Sequence, residues 1–227
     1  MDAFNILLEE DIFRTNPQAL EKLTGWVNAR DAARQPAAMY AMGSLLLAKD
    51  DLAGAVKMAE DGLSKYPQSL PVQTLSLNTI TTLLDKNRVE DAERLISKYP
   101  GTSPGLVFQQ GALAFRKGDY PLAQSLFREA ARRASEKTAE SALFNENLAA
   151  LNANDAAGAA ALVKEAAGSA QLREHILFEQ AHYAAKRMNP QAPELLASFV
   201  ALATDPALKT QARLDQAEVA LNLNPPD

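Results

Sequence analysis

Cysteine is absent from the 227 residues, so disulfides, thiolate metal sites and a lipid carried on cysteine are excluded. No apolar run approaches the ~20 residues that a membrane-spanning helix needs. Valine and isoleucine, the strand formers, are sparse outside helical patterns, which argues against a sheet. Glycine-rich phosphate loops and the Gly-x-Ser-x-Gly elbow are both missing, and neither of the two histidines has a serine placed by a recognisable motif. Nucleotide binding and nucleophilic hydrolysis therefore have no motif behind them. Basic charge is short as well: 23 Lys and Arg face 28 Asp and Glu, for a net −5, a balance that opposes a nucleic-acid partner. The densest basic group, Arg128, Arg132, Arg133 and Lys137, is spaced along the outer side and end of one helix and reads as a solvated face.

What is abundant is alanine, with 43 residues, joined by Leu, Glu, Gln and Lys, all strong helix formers. An all-α fold follows. Its arrangement is carried by an internal period. Gly43 and Gly111 stand 68 residues apart, as do Ala55 and Ala123, and Pro36 and Pro104, which is two periods of 34. Such a period describes helical hairpins stacked side by side, each burying the apolar face its neighbour cannot bury alone. From Pro36, the residues Met39, Met42, Gly43, Leu46, Leu52, Ala55, Ala59, Gly62 and Pro67 mark one copy; from Pro104, Val107, Gly111, Ala114, Tyr120, Ala123, Phe127 and Ala130 mark another. Gly43 and Gly111 are expected to face Ala55 and Ala123, small residues that let paired helices cross closely. Asp50, Asn87, Gly118 and Asn154 mark the turns, since Asp, Asn and Gly tolerate the left-handed backbone that ends a helix.

Between these copies, Leu83, Val89, Ala92 and Ile96 preserve a degenerate one, with Ile80 where its neighbours have glycine. A fourth, from Glu140, has an alanine-rich second helix. Beyond Gly168, helices are expected over 171–188 and 193–203, and a last one after Asp205-Pro206, with Asp205 as its cap. Ahead of the repeats, Phe4, Leu7, Leu8 and Ile12 share one face of an amphipathic stretch over residues 2–13, and Asn16-Pro17 starts a second helix carrying Trp26. The stretch reads as a cap on the array, or as a segment that docks on another protomer or a partner.

The offsets of the third copy resemble the tetratricopeptide repeat, which wants a small residue at its eighth position, an aromatic near the seventeenth, and Ala, Phe and Ala further on. The resemblance covers residues 36–166 well and the rest loosely. It implies a right-handed superhelical solenoid of antiparallel helix hairpins with capping helices at both ends. The expected organisation is a single domain over 1–227, with an N-terminal capping hairpin over 1–35, the clearest repeats over 36–168, and a degenerate repeat with a C-terminal capping helix over 169–227. In that family the first helix of each hairpin lines a concave groove. Carried over, the groove positions are Tyr40 and Ser44, then Asn78 and Thr81, then Phe108, Gln109, Phe115 and Arg116, then Phe144 and Asn145. Aromatics would supply buried area there, and amides would bond a peptide backbone. Some of those aromatics could equally be core residues between helices. The Lys and Asn clamp used by family members that hold acidic chaperone tails is replaced at Tyr40 and Ser44, so a mixed apolar and polar segment is the expected ligand.

His175, Glu179 and His182 share one helical face, but seven residues rise about 10.5 Å, too far for both imidazoles to reach one ion, and a tetrahedral site would still lack ligands. The carboxylate pairs Glu9-Glu10, Asp50-Asp51 and Glu90-Asp91 fall at helix starts or polar faces, where caps explain them. The expectation is a non-enzymatic adaptor of bacterial style, without cofactor or metal, that binds a protein or peptide partner. The alternatives are an escort for a secreted or membrane-associated client, and a small-ligand-binding protein. Self-association through end faces stays open. A cytoplasmic location is expected, or a periplasmic or membrane-attached one if a targeting segment has been removed.

Overall fold

A computed structural model of the chain describes residues 17–29 and 33–223. The amphipathic stretch over 2–13, the Glu9-Glu10 pair and the final Asn224-Pro225-Pro226-Asp227 lie outside the described residues. Within them the fold is all-α, with no strand. The helices are α1 (Pro17–Asn28), α2 (Gln35–Ala48), α3 (Leu52–Lys65), α4 (Leu70–Asp85), α5 (Val89–Lys98), α6 (Pro104–Arg116), α7 (Tyr120–Arg133), α8 (Glu136–Asn152), α9 (Ala156–Glu165), α10 (Ala170–Lys186), α11 (Ala192–Leu202) and α12 (Pro206–Leu223). No helix among the described residues is long and apolar enough to cross a membrane. The chain divides into two compact units, one ending at Lys117 and the other beginning at Gly118, inside the turn between α6 and α7.

In the first unit, α2 packs on α3 and on α4, α3 on α5, and α4 on α6. Consecutive helices thus pair, and so do helices two apart. The same rule holds in the second unit, where α8 meets α9 and α10, and α10 meets α11 and α12. The buried stripe of α3, Ala55, Val56, Ala59, Gly62 and Leu63, has the period of one helical face. It meets Val72, Leu75, Ile80 and Leu83 of α4 and Ala92, Leu95 and Ile96 of α5 in one core. Each Val, Leu or Ile side chain among these contributes roughly 1.5–3 kcal/mol by leaving water. The start of the chain adds a smaller cluster, with Leu23 of α1 buried against Ala38, Ala41 and Leu45 of α2 and Trp26 partly covered. In the second unit, Phe178, Ala181, Leu196, Phe199 and Val219 form one core, and Leu162, Leu172 and Ile176 form another with Phe144 against them.

The four turn residues marked in the sequence all carry positive φ: Asp50 at 60°, Asn87 at 57°, Gly118 at 79° and Asn154 at 57°. At Asp50 the turn closes as a Schellman motif, with Asp50 N–H donating to Leu47 O and Asp51 N–H to Leu46 O. The next residue then opens the following helix. Asp51 accepts from Gly54 N–H, Asp119 from Leu122 N–H and Asp155 from Gly158 N–H, each satisfying a donor the helix start leaves free. Asp205 caps α12 in the same way, as its sequence position suggests. The break expected after residue 188, at Asn189-Pro190, is made at Met188 itself, with φ 52° and the same pair of backbone bonds, from Met188 N–H to Ala185 O and from Asn189 N–H to Ala184 O.

Two expectations are corrected. The atoms nearest a Cβ at Gly43 belong to Leu75 rather than to Ala55, with Cδ1 at 2.3 Å, so the closest approach there is between the first helices of successive hairpins, α2 and α4. The basic group is neither on one helix nor simply solvated: Arg128, Arg132 and Arg133 lie on α7 and Lys137 on α8. Arg128 Nε donates to both oxygens of Glu146 at 2.7 and 2.8 Å and its Nη1 lies 3.2 Å from Glu165, while Arg133 pairs with Glu129 at 2.6 Å.

Candidate functional site

In the first unit, α2, α4 and α6 lie in succession and carry eight of the expected groove residues. Tyr40 is half-buried against the core cluster, as the core alternative for the aromatics allows. Ser44, Phe108 and Phe115 are half-buried, whereas Asn78, Thr81 and Arg116 are exposed. One pair of neighbouring helices, α4 and α6, is joined twice through these side chains. Gln109 Nε2 donates to Thr81 Oγ1 at 2.8 Å, and Thr81 donates in turn to Leu77 O at 3.0 Å. Gln109 is itself buried, so its amide N–H serves the contact between α4 and α6. Arg116 Nη2 stands 3.9 Å from Asp85, a solvated pair of little energetic weight.

In the second unit, Phe144 and Asn145 line a cleft of about 330 Å³ between α8 and α10. Phe144 meets His175 edge-on, with ring centroids 6.4 Å apart. Asn145 Nδ2 donates to Ser141 O, one turn back, at 2.8 Å, which leaves its carbonyl oxygen as an acceptor toward a ligand. Lys137, Glu140 and His175 complete the rim. Arg116 is the one charged side chain among the expected groove residues, whereas this cleft carries charge of both signs.

The histidines serve separate roles. His175 lies on Phe144, whereas His182 Nδ1 is 2.6 Å from Asp215 Oδ2 and stacks on Phe178 at 5.4 Å. Asp215 is 1% exposed and also accepts from Gln211. Glu179 lies between them in sequence; burial pushes its carboxyl up, and the two histidines pull it back. The carboxylate pairs behave as caps and ion-pair partners: Asp50 meets Lys86 at 2.8 Å, and Asp91 meets Arg88 and Arg94.

Two buried acids escaped the sequence reading. Glu146, 1% exposed, has its carboxyl pushed up by burial and held down by the Arg128 guanidinium. The signal was present: Glu146 sits with Ala142, Ala149 and Ala150 on the buried face of α8, and Asp215 falls between Ala212 and Val219 on that of α12. A charged residue inside an apolar stripe calls for a buried partner. A second cleft in this unit, at Tyr183 and Arg187, was missed because no motif marks it. No protein-family model matches the chain, and no curated protein matches it.

Proposed function

We propose that the chain is a protein-interaction adaptor whose helix hairpins form a right-handed superhelical solenoid of the tetratricopeptide type, and that it binds a peptide or helix of a partner along its first helices. The observation that carries this reading is the cleft between α8 and α10, where an aromatic face, Phe144, stands beside a free amide oxygen, Asn145, with Lys137 and Glu140 at the rim. An apolar wall with a few oriented polar groups suits a peptide that brings its own apolar side chain and backbone donors. The pairing of alternate helices inside each unit supports the repeat architecture. The proposal is one of binding.

The test is selection of a peptide-display library against the whole protein, followed by affinity measurement on Asn145→Arg and Asn78→Arg, both of which change partly or fully exposed side chains. Selected peptides of mixed apolar and polar sequence should lose at least tenfold in affinity with one or both variants. Peptides that bind both variants as well as the parent would place recognition elsewhere and sink the groove reading.

A further inference from the structure

In the second unit a separate cleft of about 390 Å³ opens between the turn joining α8 to α9 and one stripe of α10. It shares no residue with the cleft at Phe144. Gln180, Tyr183, Ala184 and Arg187 fall at i, i+3, i+4 and i+7, so one face of α10 supplies three of its polar groups. Small apolar residues, Ala159 and Ala160 of α9 and Leu195 of α11, form much of the rest. Its volume lies at the lower end of the range for small-ligand sites, roughly 300–1,000 Å³.

Two groups in this cleft are unfinished as protein structure. The Tyr183 hydroxyl is buried and has no hydrogen-bond partner. Buried hydroxyls are nearly always paired, and an exception asks for an explanation. Burial also pushes the phenol up, so it stands as a neutral donor. The second group is Arg187. Its guanidinium lies over the Tyr183 ring, 4.6 Å from the centroid, and donates one bond, to Asn154 Oδ1 at 3.0 Å. An arginine has five N–H donors, and among the described residues no carboxylate pairs with this one. The acid on the rim, Asp155, has its oxygens engaged by Gly158 N–H at 2.9 Å and Gln124 Nε2 at 3.0 Å. An orphan phenol and an unpaired guanidinium stacked on the same ring, beside an alanine wall, together describe a receptor for an anion with a short apolar body.

We infer that this cleft binds the carboxylate of a small apolar acid, which accepts hydrogen bonds from the Tyr183 hydroxyl and the Arg187 guanidinium while its body lies on Ala159, Ala160 and Leu195. The planar guanidinium matches a carboxylate better than a point cation would. The same chemistry is offered by a free organic acid and by the C-terminal residue of a peptide.

The test uses the whole protein, isotopically labelled, titrated by NMR with 3-phenylpropionate, with its neutral amide, and with acetyl-Ala-Phe bearing a free or an amidated C-terminus. Saturable shifts at Asn154, Tyr183 and Arg187 are expected from an acid and should weaken by about tenfold or more for the matching amide, the usual scale for losing a charge-assisted hydrogen bond. Tyr183→Phe and Arg187→Gln should each weaken acid binding several-fold. Tyr183→Phe should nevertheless melt no lower than the parent, because it removes a hydroxyl that has no partner; a purely structural tyrosine would melt lower. Tighter binding of the free-carboxyl peptide would identify a chain terminus as the source, and binding of phenylpropionate alone would identify a free acid. Equal binding of acid and amide, unchanged binding in both variants, or no saturable shift at millimolar concentration would each overturn the inference.

Discussion

A Cβ at Gly43 would sit 2.3 Å from Cδ1 and 2.6 Å from Cδ2 of Leu75, and Leu75 is fully buried. Glycine in a helix interior ordinarily costs about 1 kcal/mol relative to alanine. Here the sign should reverse: Gly43→Ala is expected to destabilise by about 1–3 kcal/mol, the usual cost of overpacking. Adding Leu75→Ala should make the Gly43 change much less costly, so a denaturant double-mutant cycle should show strong coupling; additive effects would refute the contact. Met188 presents the opposite case. Its φ of 52° places a long side chain in a region that costs ordinary residues roughly 1–2 kcal/mol. Met188→Gly should therefore raise the melting temperature, by an amount corresponding to up to about 1 kcal/mol, and a fall would show that the Met188 side chain contributes more than its backbone strain costs. The turn chemistry itself was legible at Asp50, Asn87, Gly118 and Asn154 because their residue types favour a left-handed backbone. It was illegible at Met188, where hydrogen bonding and packing of the helix end override a residue that does not favour that conformation.

At the scale of elements, α10 is tied to its neighbours through Glu174, Gln180, His182, Lys186 and Arg187. The Glu174 carboxylate accepts from the backbone N–H of Thr204 and of Asp205 and from the Thr204 hydroxyl, which fixes the turn into α12. The Thr204 hydroxyl, and then the backbone donors, hold this carboxyl below the usual carboxylate range. A depressed folded pKa makes a contribution that is present above the unfolded value, about 4.3 for glutamate, and is lost as pH falls through the folded one. Glu174→Gln should thus lower the melting temperature at pH 7, and the gap between parent and variant should close as the buffer is taken below about pH 4. A gap independent of pH would assign the effect to packing. Helix extents were readable to within a residue or two: 171–188 was expected where α10 spans Ala170–Lys186, and 193–203 where α11 spans Ala192–Leu202. Periodicity and punctuation settle such boundaries. Which polar residues pair across helices was not readable, since Gln109 meeting Thr81 and Arg128 meeting Glu146 depend on how successive hairpins are rotated, a property no local pattern encodes.

For the molecule as a whole, each unit carries cores of its own. The second holds the clusters around Phe178 and around Leu162, and the Arg128–Glu146 pair besides. Residues 118–227 expressed alone should give a helical circular-dichroism spectrum and a cooperative thermal transition; a coil spectrum would show that this unit depends on the rest of the chain. The candidate binding residues were only partly legible at this scale. Repeat offsets led to Phe144 and Asn145, which share a cleft, but also to Gln109, which is spent on a helix contact. The cleft at Tyr183 was invisible because its signature is a missing bond, and a sequence does not display missing bonds.

The side-chain ties between helices described above join residues that are close in sequence: Gln109 to Thr81, His182 to Asp215, Arg187 to Asn154, and Lys86 to Asp50. None needs a distant part of the chain to arrive first. Loops closed over such short spans lose little entropy, and chains whose contacts are local in sequence fold quickly. During synthesis, each helix of a unit can begin to pack on the ones before it as soon as it leaves the ribosome, so within a unit the order of emergence becomes the order of assembly.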